Sequence, residues 1–360
     1  MDVAVVILNW NGADHLAAFL PSVLKHSQGA RVIVADNGST DASLSTLERD
    51  FPTVEVIELG SNLGFAGGYN KALSSIHAEH YVLLNSDVEV TPGWLAPLLK
   101  ALTDRPDLAA VQPKVLDHVR RNRFEHAGAA GGFIDRNGYP FCRGRIFELT
   151  EEDHGQYDSD RDIFWATGAC MMVRATAFRQ VGGFDADLFA HMEEIDLCWR
   201  ARRRGWRIGF VAGSTVYHLG GGSLGYGSPF KTYLNFRNSL IVLTKNLRSR
   251  SIFLRILRRL ILDGFAAIKF LMEGHAAHTW QVGRAHRHYF MRLPAVLRQR
   301  KELAASEDRP DMTGLYRRSV AYDRFILGQR TFDRLDQSAF MQRAPRSGQQ
   351  PNDNQLLRAP

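Results

Sequence analysis

The sequence predicts an α/β fold: a mostly parallel central sheet flanked by helices, with an amphipathic helical extension at its C-terminal end. Two observations predict it. Short apolar runs alternate with helical patterns through the first third of the chain, as βαβ units require. Past residue 231 the pattern changes to longer helical stretches with apolar and basic residues on opposite arcs.

Residues 3–8 (VAVVIL), 31–35 (RVIVA), 54–59 (VEVIEL) and 81–84 (YVLL) read as buried strands. Each ends in a polar, turn-forming cluster: residues 9–12, 36–39, 60–62 and 85–87. Ligands of such sheets gather beyond the carboxyl ends of the strands, so the four clusters mark one candidate site. Thr91 and Pro92 read as an N-cap and first helical residue, with Trp94, Leu95, Leu98 and Leu99 at helical spacing behind them. Residues 117–160 are weakly patterned and read as loops, and apolar patterning returns at 164–173. Residues 193–204 predict a helix with Ile195, Cys198, Trp199 and Arg202 on one face and Gly205 as its stop. Val216, Tyr217 and His218 then precede a glycine cluster at 220–222.

Over 251–271, Arg255, Arg258, Arg259, Asp263 and Lys269 share one arc, and Phe253, Leu257, Leu260, Ile261, Ile268 and Leu271 lie opposite. Such a basic amphipathic helix either lies on a membrane surface or packs its apolar face on protein. The tail from about 342 has the Pro, Gln, Asn and Ser content of a disordered segment.

Bulk properties narrow the classes. The 360 residues suit one large domain with an extension, and 45% hydrophobic content excludes global disorder. A net charge of +7 suggests an anionic partner. The basic residues are not interleaved with aromatics, and no nucleic-acid module occurs, so nucleic acid is not expected. Cys142, Cys170 and Cys198 are widely spaced, which suits a reducing compartment. The apolar run at 3–8 is too short for a signal peptide, and no run of 18 apolar residues occurs. A cytoplasmic protein is expected, free or peripheral on the inner face of a membrane.

Seven segments carry a family resemblance: VVILNWNG, VIVADNGSTD, NLGFAGGYNKAL, YVLLNSDVEVTPGWL, WATGACMMVRATAFRQVGGFD, FAHMEEIDLCWRARRRGWRI and VYHLGGGS. In this order and spacing, over residues 3–290, they resemble family 2 glycosyltransferases of the rhamnosyltransferase-like branch. The resemblance implies a GT-A (Rossmann-like) catalytic domain at 1–230. Its nucleotide-sugar-binding half is 1–115 and its acceptor and catalytic half 116–230, followed by a helical extension at 231–341 and the tail at 342–360.

For the nucleotide, the resemblance points to Asn9, Trp10, Asp36, Asn62, Gly67, Asn70 and Asn85. Trp10 offers a flat face to a base, or else packs in the core; Asp36 accepts from the base, closes an Asp-Asn-Gly turn, or does both. Gly67 and Gly68 let a backbone approach a ligand.

A diphosphate leaving group calls for a divalent cation, Mn²⁺ or Mg²⁺. Where the family has Asp-x-Asp this chain has Asn85, Ser86 and Asp87, so Asp87 becomes the main ligand, with Glu89 a further possibility. His218 matches the histidine that completes the family's metal site.

The acidic pair of the family is Glu193 and Glu194 here. Glu194 matches the base that removes the acceptor proton, Glu193 is its neighbour, and Asp196 orders the loop. Trp165, Thr167 and Gly168 match the acceptor border. The basic run at Arg200, Arg202, Arg203 and Arg204 either contacts an acceptor pyrophosphate or forms a solvated helix face.

The function implied is inverting transfer from a nucleotide-sugar, dTDP-rhamnose or a UDP-sugar, to a glycan or lipid-linked glycan of a bacterial surface polysaccharide. A nucleotidyltransferase is disfavoured, since no Gly-rich loop with Arg and Lys follows the first strand. A decayed nucleotide-sugar- or membrane-binding protein is the alternative that Asn85 keeps open.

Overall fold

The computed structural model describes residues 2–220, 227–249, 251–305 and 311–342. The glycines at 221 and 222 and the tail from 343 lie outside the described residues. The first half runs β1 (Val3–Asn9), α1 (Ala13–His26), β2 (Arg31–Asp36), α2 (Ser43–Asp50), β3 (Glu55–Glu58), α3 (Gly64–Leu73), β4 (His80–Asn85), β5 (Val88–Val90), α4 (Leu95–Asp104) and β6 (Leu108–Asp117). Four short strands follow: β7 (Gly132–Asp135), β8 (Pro140–Cys142), β9 (Arg145–Ile146) and β10 (Leu149–Thr150). Then come β11 (Arg161–Ile163), β12 (Cys170–Arg174), α5 (Ala175–Gln180), α6 (Glu193–Arg203) and β13 (Arg207–His218). The C-terminal part holds α7 (Pro229–Asn246), α8 (Ile252–Met272), α9 (Ala276–Ala305), β14 (Leu315–Tyr316) and α10 (Val320–Phe325).

The main sheet has the order β11-β13-β6-β12-β4-β1-β2-β3. Strands β3, β2, β1 and β4 are parallel, whereas β12 runs antiparallel to both β4 and β6. On β1, Ala4 and Val6 enter one apolar core, and Val3, Val5 and Ile7 enter the core on the other face. Both faces are thus covered, which is why the run is continuously apolar. The sheet is therefore mixed, flanked by helices, with its parallel half where the βαβ patterning occurs.

Three local expectations change. Helix α4 begins at Leu95 rather than Pro92, because Gly93 adopts φ 74° and breaks the turn. Thr91 does not cap it; its hydroxyl donates to the Thr215 carbonyl at 2.7 Å. Residues 117–160 are not all loop. They supply β7 to β10 of a second sheet, closed by β14. Its strands are too short to show alternation, and its stability comes from packed rings, with Phe133 at 5.0 Å from Phe332 and Tyr316 at 4.7 Å from Phe340.

Helix α8 has the two arcs that its sequence shows, but it turns Arg259 and Asp263 of the polar arc inward, beside Ile252 and Ile256, and leaves Arg258 and Lys269 exposed. Its buried residues include Arg259 and Asp263, paired at 2.8 Å, and Arg259 also donates to the Asn137 carbonyl and the Ser239 hydroxyl. Among the described residues no helix is long and apolar enough to cross a membrane.

Candidate active site

The carboxyl ends of β1, β2 and β4 bring the polar clusters together, and β13 delivers His218 to them. Strand β13 stays parallel to β6 on both sides of a register break between Val211 and Thr215, and past it the edge that pairs with β11 earlier in the strand turns to β5. Its last residues pair antiparallel with β5, Tyr217 opposite Glu89 and His218 opposite Val88. That pairing sets the His218 ring beside Asp87. Nε2–H donates to Asp87 Oδ1 at 3.1 Å, and Nδ1–H donates to Glu125 Oε2 at 3.0 Å. The Asn85 amide lies 3.4 Å from the same Nε2. All three charged groups are buried. Burial alone lowers the His218 pKa, but Asp87 and Glu125 overcome it and raise the imidazole to about 10. Burial opposes ionisation of Glu125, yet His218 pulls its carboxyl down to about 2.

The donor set fits a divalent cation in one specific way. Glu125 holds Nδ1, which aims Nε2 at Asp87, the outer-shell arrangement that orients a metal-bound histidine. Among the described residues no group of three or more His, Cys, Asp or Glu could hold a metal ion by itself. An ion held by Asp87 and His218 would displace the proton that Nε2 gives to Asp87 and would fill the rest of its sphere with substrate phosphate and water, as Mg²⁺ commonly does. Glu89 is not part of this set, since Arg121 takes both its oxygens at 2.8 and 3.0 Å. Sequence reasoning missed Glu125, which sits in a weakly patterned segment with no motif around it.

The acidic pair sits at the start of α6, at the end of a strained loop. Phe189, His191 and Met192 adopt φ of 64°, 67° and 74°, a region non-glycine residues avoid. Helix α7 over-determines this conformation. The Asn238 amide donates to the carbonyls of Leu188, Ala190 and His191 at 2.8, 2.9 and 2.7 Å, and Arg237 donates to Asp187 and Leu188 carbonyls. On the other side Ala66 N–H donates to the Phe189 carbonyl, tying the loop to α3.

Replacing Asn238 by Ala is expected to cost about 1–3 kcal/mol by stranding buried carbonyls. Turnover should fall more than donor affinity, because the loop carries the acids. Urea melts with steady-state kinetics check this, and unchanged kcat would show that the loop holds itself.

Oε2 of Glu193 and Oε2 of Glu194 are buried and have no partner, so both acids are available for chemistry. Burial pushes Glu194 up to about 7. Glu193 rises well above the carboxylate range through burial and then the neighbouring Glu194 charge. Asp196 differs. Although burial opposes its ionisation, Arg200 and Lys245 hold it near 2, and it accepts from Arg200, Lys245 and Asn246 at 2.7 to 2.8 Å.

The donor-side residues divide by what already occupies them. Trp10 is 37% exposed at the end of β1, open to a stacking partner. Asp36 is buried and accepts from Asn9 Nδ2 and the Ser39 N–H, so it closes its turn. Asn9 Oδ1 is buried and unpartnered. Asn62 accepts from Gly64 N–H and Asn37 at the head of α3. A Cβ on Gly68 would lie 2.8 Å from Leu8, so its smallness serves packing, whereas Gly67 meets only Leu63 at 3.1 Å. Asn70 turns away from any nucleotide: its amide clamps both backbone groups of Phe184 at 2.9 Å.

On the acceptor side only Gly168 borders the acids, with Glu194 Cβ 3.9 Å from where its own Cβ would stand. Trp165 is buried, donates to the Phe133 carbonyl and packs flat on Gly132. Thr167 is turned inward, bonded to Gln112 and to Ala169 N–H. Three of the four arginines of the basic run do not form a solvated face, and Arg204 is half-buried. Arg200, Arg202 and Arg203 are buried and donate to carbonyls of Gly183, Ile163 and Lys245. Their guanidiniums satisfy carbonyls of the loop after α5, the last residue of β11 and the last turn of α7.

The two halves of the site meet through the sheet. Asn85 N–H donates to the Ala169 carbonyl at 3.0 Å, next to Gly168. A continuous path thus runs from Glu194 through Gly168 and Asn85 to His218 and Asp87.

Known proteins share this arrangement of chain. The N-acetylglucosaminyl-diphospho-decaprenol L-rhamnosyltransferase of Mycobacterium tuberculosis is 28% identical over 229 residues, 59% of this chain and 75% of that protein. The low-salt glycan biosynthesis hexosyltransferase Agl10 of Haloferax volcanii is 24% identical, covering 76% of this chain and 85% of that one. A crystal structure of GalNAc-T7 with UDP, GalNAc and Mn²⁺ superposes with a TM-score of 0.54 at 17% identity. The superposition covers 68% of this chain and about half, 48%, of that one, and it shows the shared GT-A fold. Residues 4–182 match the family described as "Glycosyl transferase family 2". This chain is a glycosyltransferase, and residues 4–182 form its glycosyl transferase family 2 domain.

Proposed function

We propose that the protein is an inverting glycosyltransferase that moves a sugar from dTDP-rhamnose or a UDP-sugar to a glycan or lipid-linked glycan during cell-surface polysaccharide synthesis. One observation carries the reading: two acids, each with one buried, unpartnered oxygen, lie one strand pairing away from the His218–Asp87 pair. Base and leaving-group stabiliser are thereby on opposite ends of a single short path. The rhamnosyl- and hexosyltransferase relatives support the substrate class.

In this reading Glu194 takes the proton of an acceptor hydroxyl as its oxygen attacks the anomeric carbon. The bond from that carbon to the diphosphate oxygen breaks, and the configuration inverts. Glu194 suits the task better than Glu193. A group near pH 7 is substantially ionised in a neutral medium, whereas Glu193 keeps its proton. A divalent cation bound by Asp87 and His218, with Asn85 beside them, would neutralise charge on the leaving diphosphate. Glu125 positions His218, and Trp10 stacks on the base. A lipid-linked acceptor would be met at the inner membrane face, with the protein held peripherally.

Thermal shifts against UDP-, dTDP- and GDP-sugars, each with and without Mn²⁺, test the donor assignment. Binding to the native state alone raises Tm, by about 2.7 kcal/mol of stabilisation at a hundredfold excess over Kd. A metal-dependent rise with one nucleotide class is expected. No rise with any of them, in folded protein, would favour the decayed-site alternative.

A further inference from the structure

We propose that the outward face of α8 is a docking surface for an anionic lipid bilayer, in which the helix lies in the plane of the membrane interface. The surface is defined independently of the donor and acceptor assigned above.

The first observation is the inverted packing of α8. A surface helix ordinarily buries its apolar stripe. Here the inward residues include an ion pair, Arg259 with Asp263, and Phe253, Leu257, Ile261, Phe265 and Ile268 are 54–66% exposed. They recur at intervals of three and four, so they form one stripe along the helix. At its end Met272 is 83% exposed, and Trp280 on the next helix is 73% exposed. Monomeric soluble proteins rarely leave so continuous an apolar surface without a partner. The inward face is already committed to the β7–β8 turn and α7 through Arg255 and Arg259, so the stripe cannot rotate into the core without breaking those bonds.

The second observation identifies the partner. Residues 252–305, which form α8 and α9, hold ten of the 45 Lys and Arg but only three of the 38 Asp and Glu. Their excess of seven equals the net charge of the whole chain, so all other residues together are neutral. The net positive charge thus resides in the two helices that carry the stripe. Arg258, Lys269 and Arg287 are exposed there. Isologous pairing of two copies through this face would oppose like charges. An anionic bilayer satisfies both features, taking the apolar side chains below its headgroups and the cations among them. Because no described helix can cross a membrane, the attachment is to one leaflet.

Co-sedimentation of the full chain with vesicles tests this without donor or acceptor. Vesicles of phosphatidylcholine containing phosphatidylglycerol should bind about tenfold or more tighter than phosphatidylcholine alone, less so at high salt. The variant Leu257→Gln, Ile261→Gln, Phe265→Gln should lose that binding while keeping its melting temperature and its nucleotide-sugar response. A second variant, Arg258→Gln with Lys269→Gln, should bind both vesicle types nearly alike. No binding of the wild type to anionic vesicles overturns the proposal. So does a wild-type dimer that the triple variant converts to monomer with no vesicle binding, which would assign the stripe to a second copy. Vesicle binding without any donor response would leave this surface standing and remove the transfer reading instead.

Discussion

Replacing Glu194 by Gln should lower kcat by about 10²–10⁴, the usual share of a positioned base, while nucleotide-sugar affinity stays near that of the wild type. The amide keeps the size of the side chain and removes only its proton-accepting charge. Glu193→Gln should be milder, because burial and the Glu194 charge already keep Glu193 protonated. Two pH measurements add independent readouts. The base must be ionised, so wild-type kcat should rise with pH and level off above about 7, where Glu194 titrates. Stability should move the other way. The folded pKa lies above the ordinary 4.5, so ionising Glu194 weakens the fold as pH climbs from 4.5 through 7. Glu194→Gln should therefore be more stable than wild type at pH 8, by on the order of 3 kcal/mol, and equally stable below 4.5. A Gln variant with full kcat would move the base to Glu193 or elsewhere.

Asp87→Ala should remove metal-dependent turnover, by about 10²–10³ in kcat as for loss of a main charge stabiliser, and abolish the Mn²⁺-dependent thermal shift. The fold should survive, because His218 keeps its bond to Glu125. Glu125→Gln gives a graded comparison. It leaves Asp87 in place and loosens only the ring that His218 presents, so metal affinity should fall by about 10–100-fold. Wild-type kcat in Asp87→Ala, with metal present, would remove the cation site from the mechanism.

Much of this was legible in the residues. Runs such as VAVVIL and YVLL could only be strands covered on both faces, and their polar ends had to converge because parallel strands share one carboxyl edge. Gly205 as a helix stop was readable because only its left-handed φ of 86° ends the turn cheaply. Other residues misled. The arginines at 200–203 look solvated in a sequence, where nothing distinguishes a charge facing water from one facing loop carbonyls. Asn70 looks like part of a ligand loop, yet its partner Phe184 lies 114 residues away.

The sequence by itself determined the family, the strand-end cluster that contains Trp10, Asp36 and Asp87, and the separation of apolar from basic arcs along α8. Those depend on short-range patterns, which period and turn chemistry encode locally. The tertiary structure alone decided three things. The shift of β13 onto β5 set His218 against Asp87 and Glu125. The grip of Asn238 on a strained loop delivered Glu193 and Glu194 with one oxygen each unpaired. The docking of Arg259 and Asp263 turned the apolar arc of α8 outward. Each depends on partners 47 to 131 residues apart in the chain, or on which of two arcs meets the body of the protein. No local pattern records such a choice, because it is made by the hydrogen bonds and burial that only the assembled fold provides.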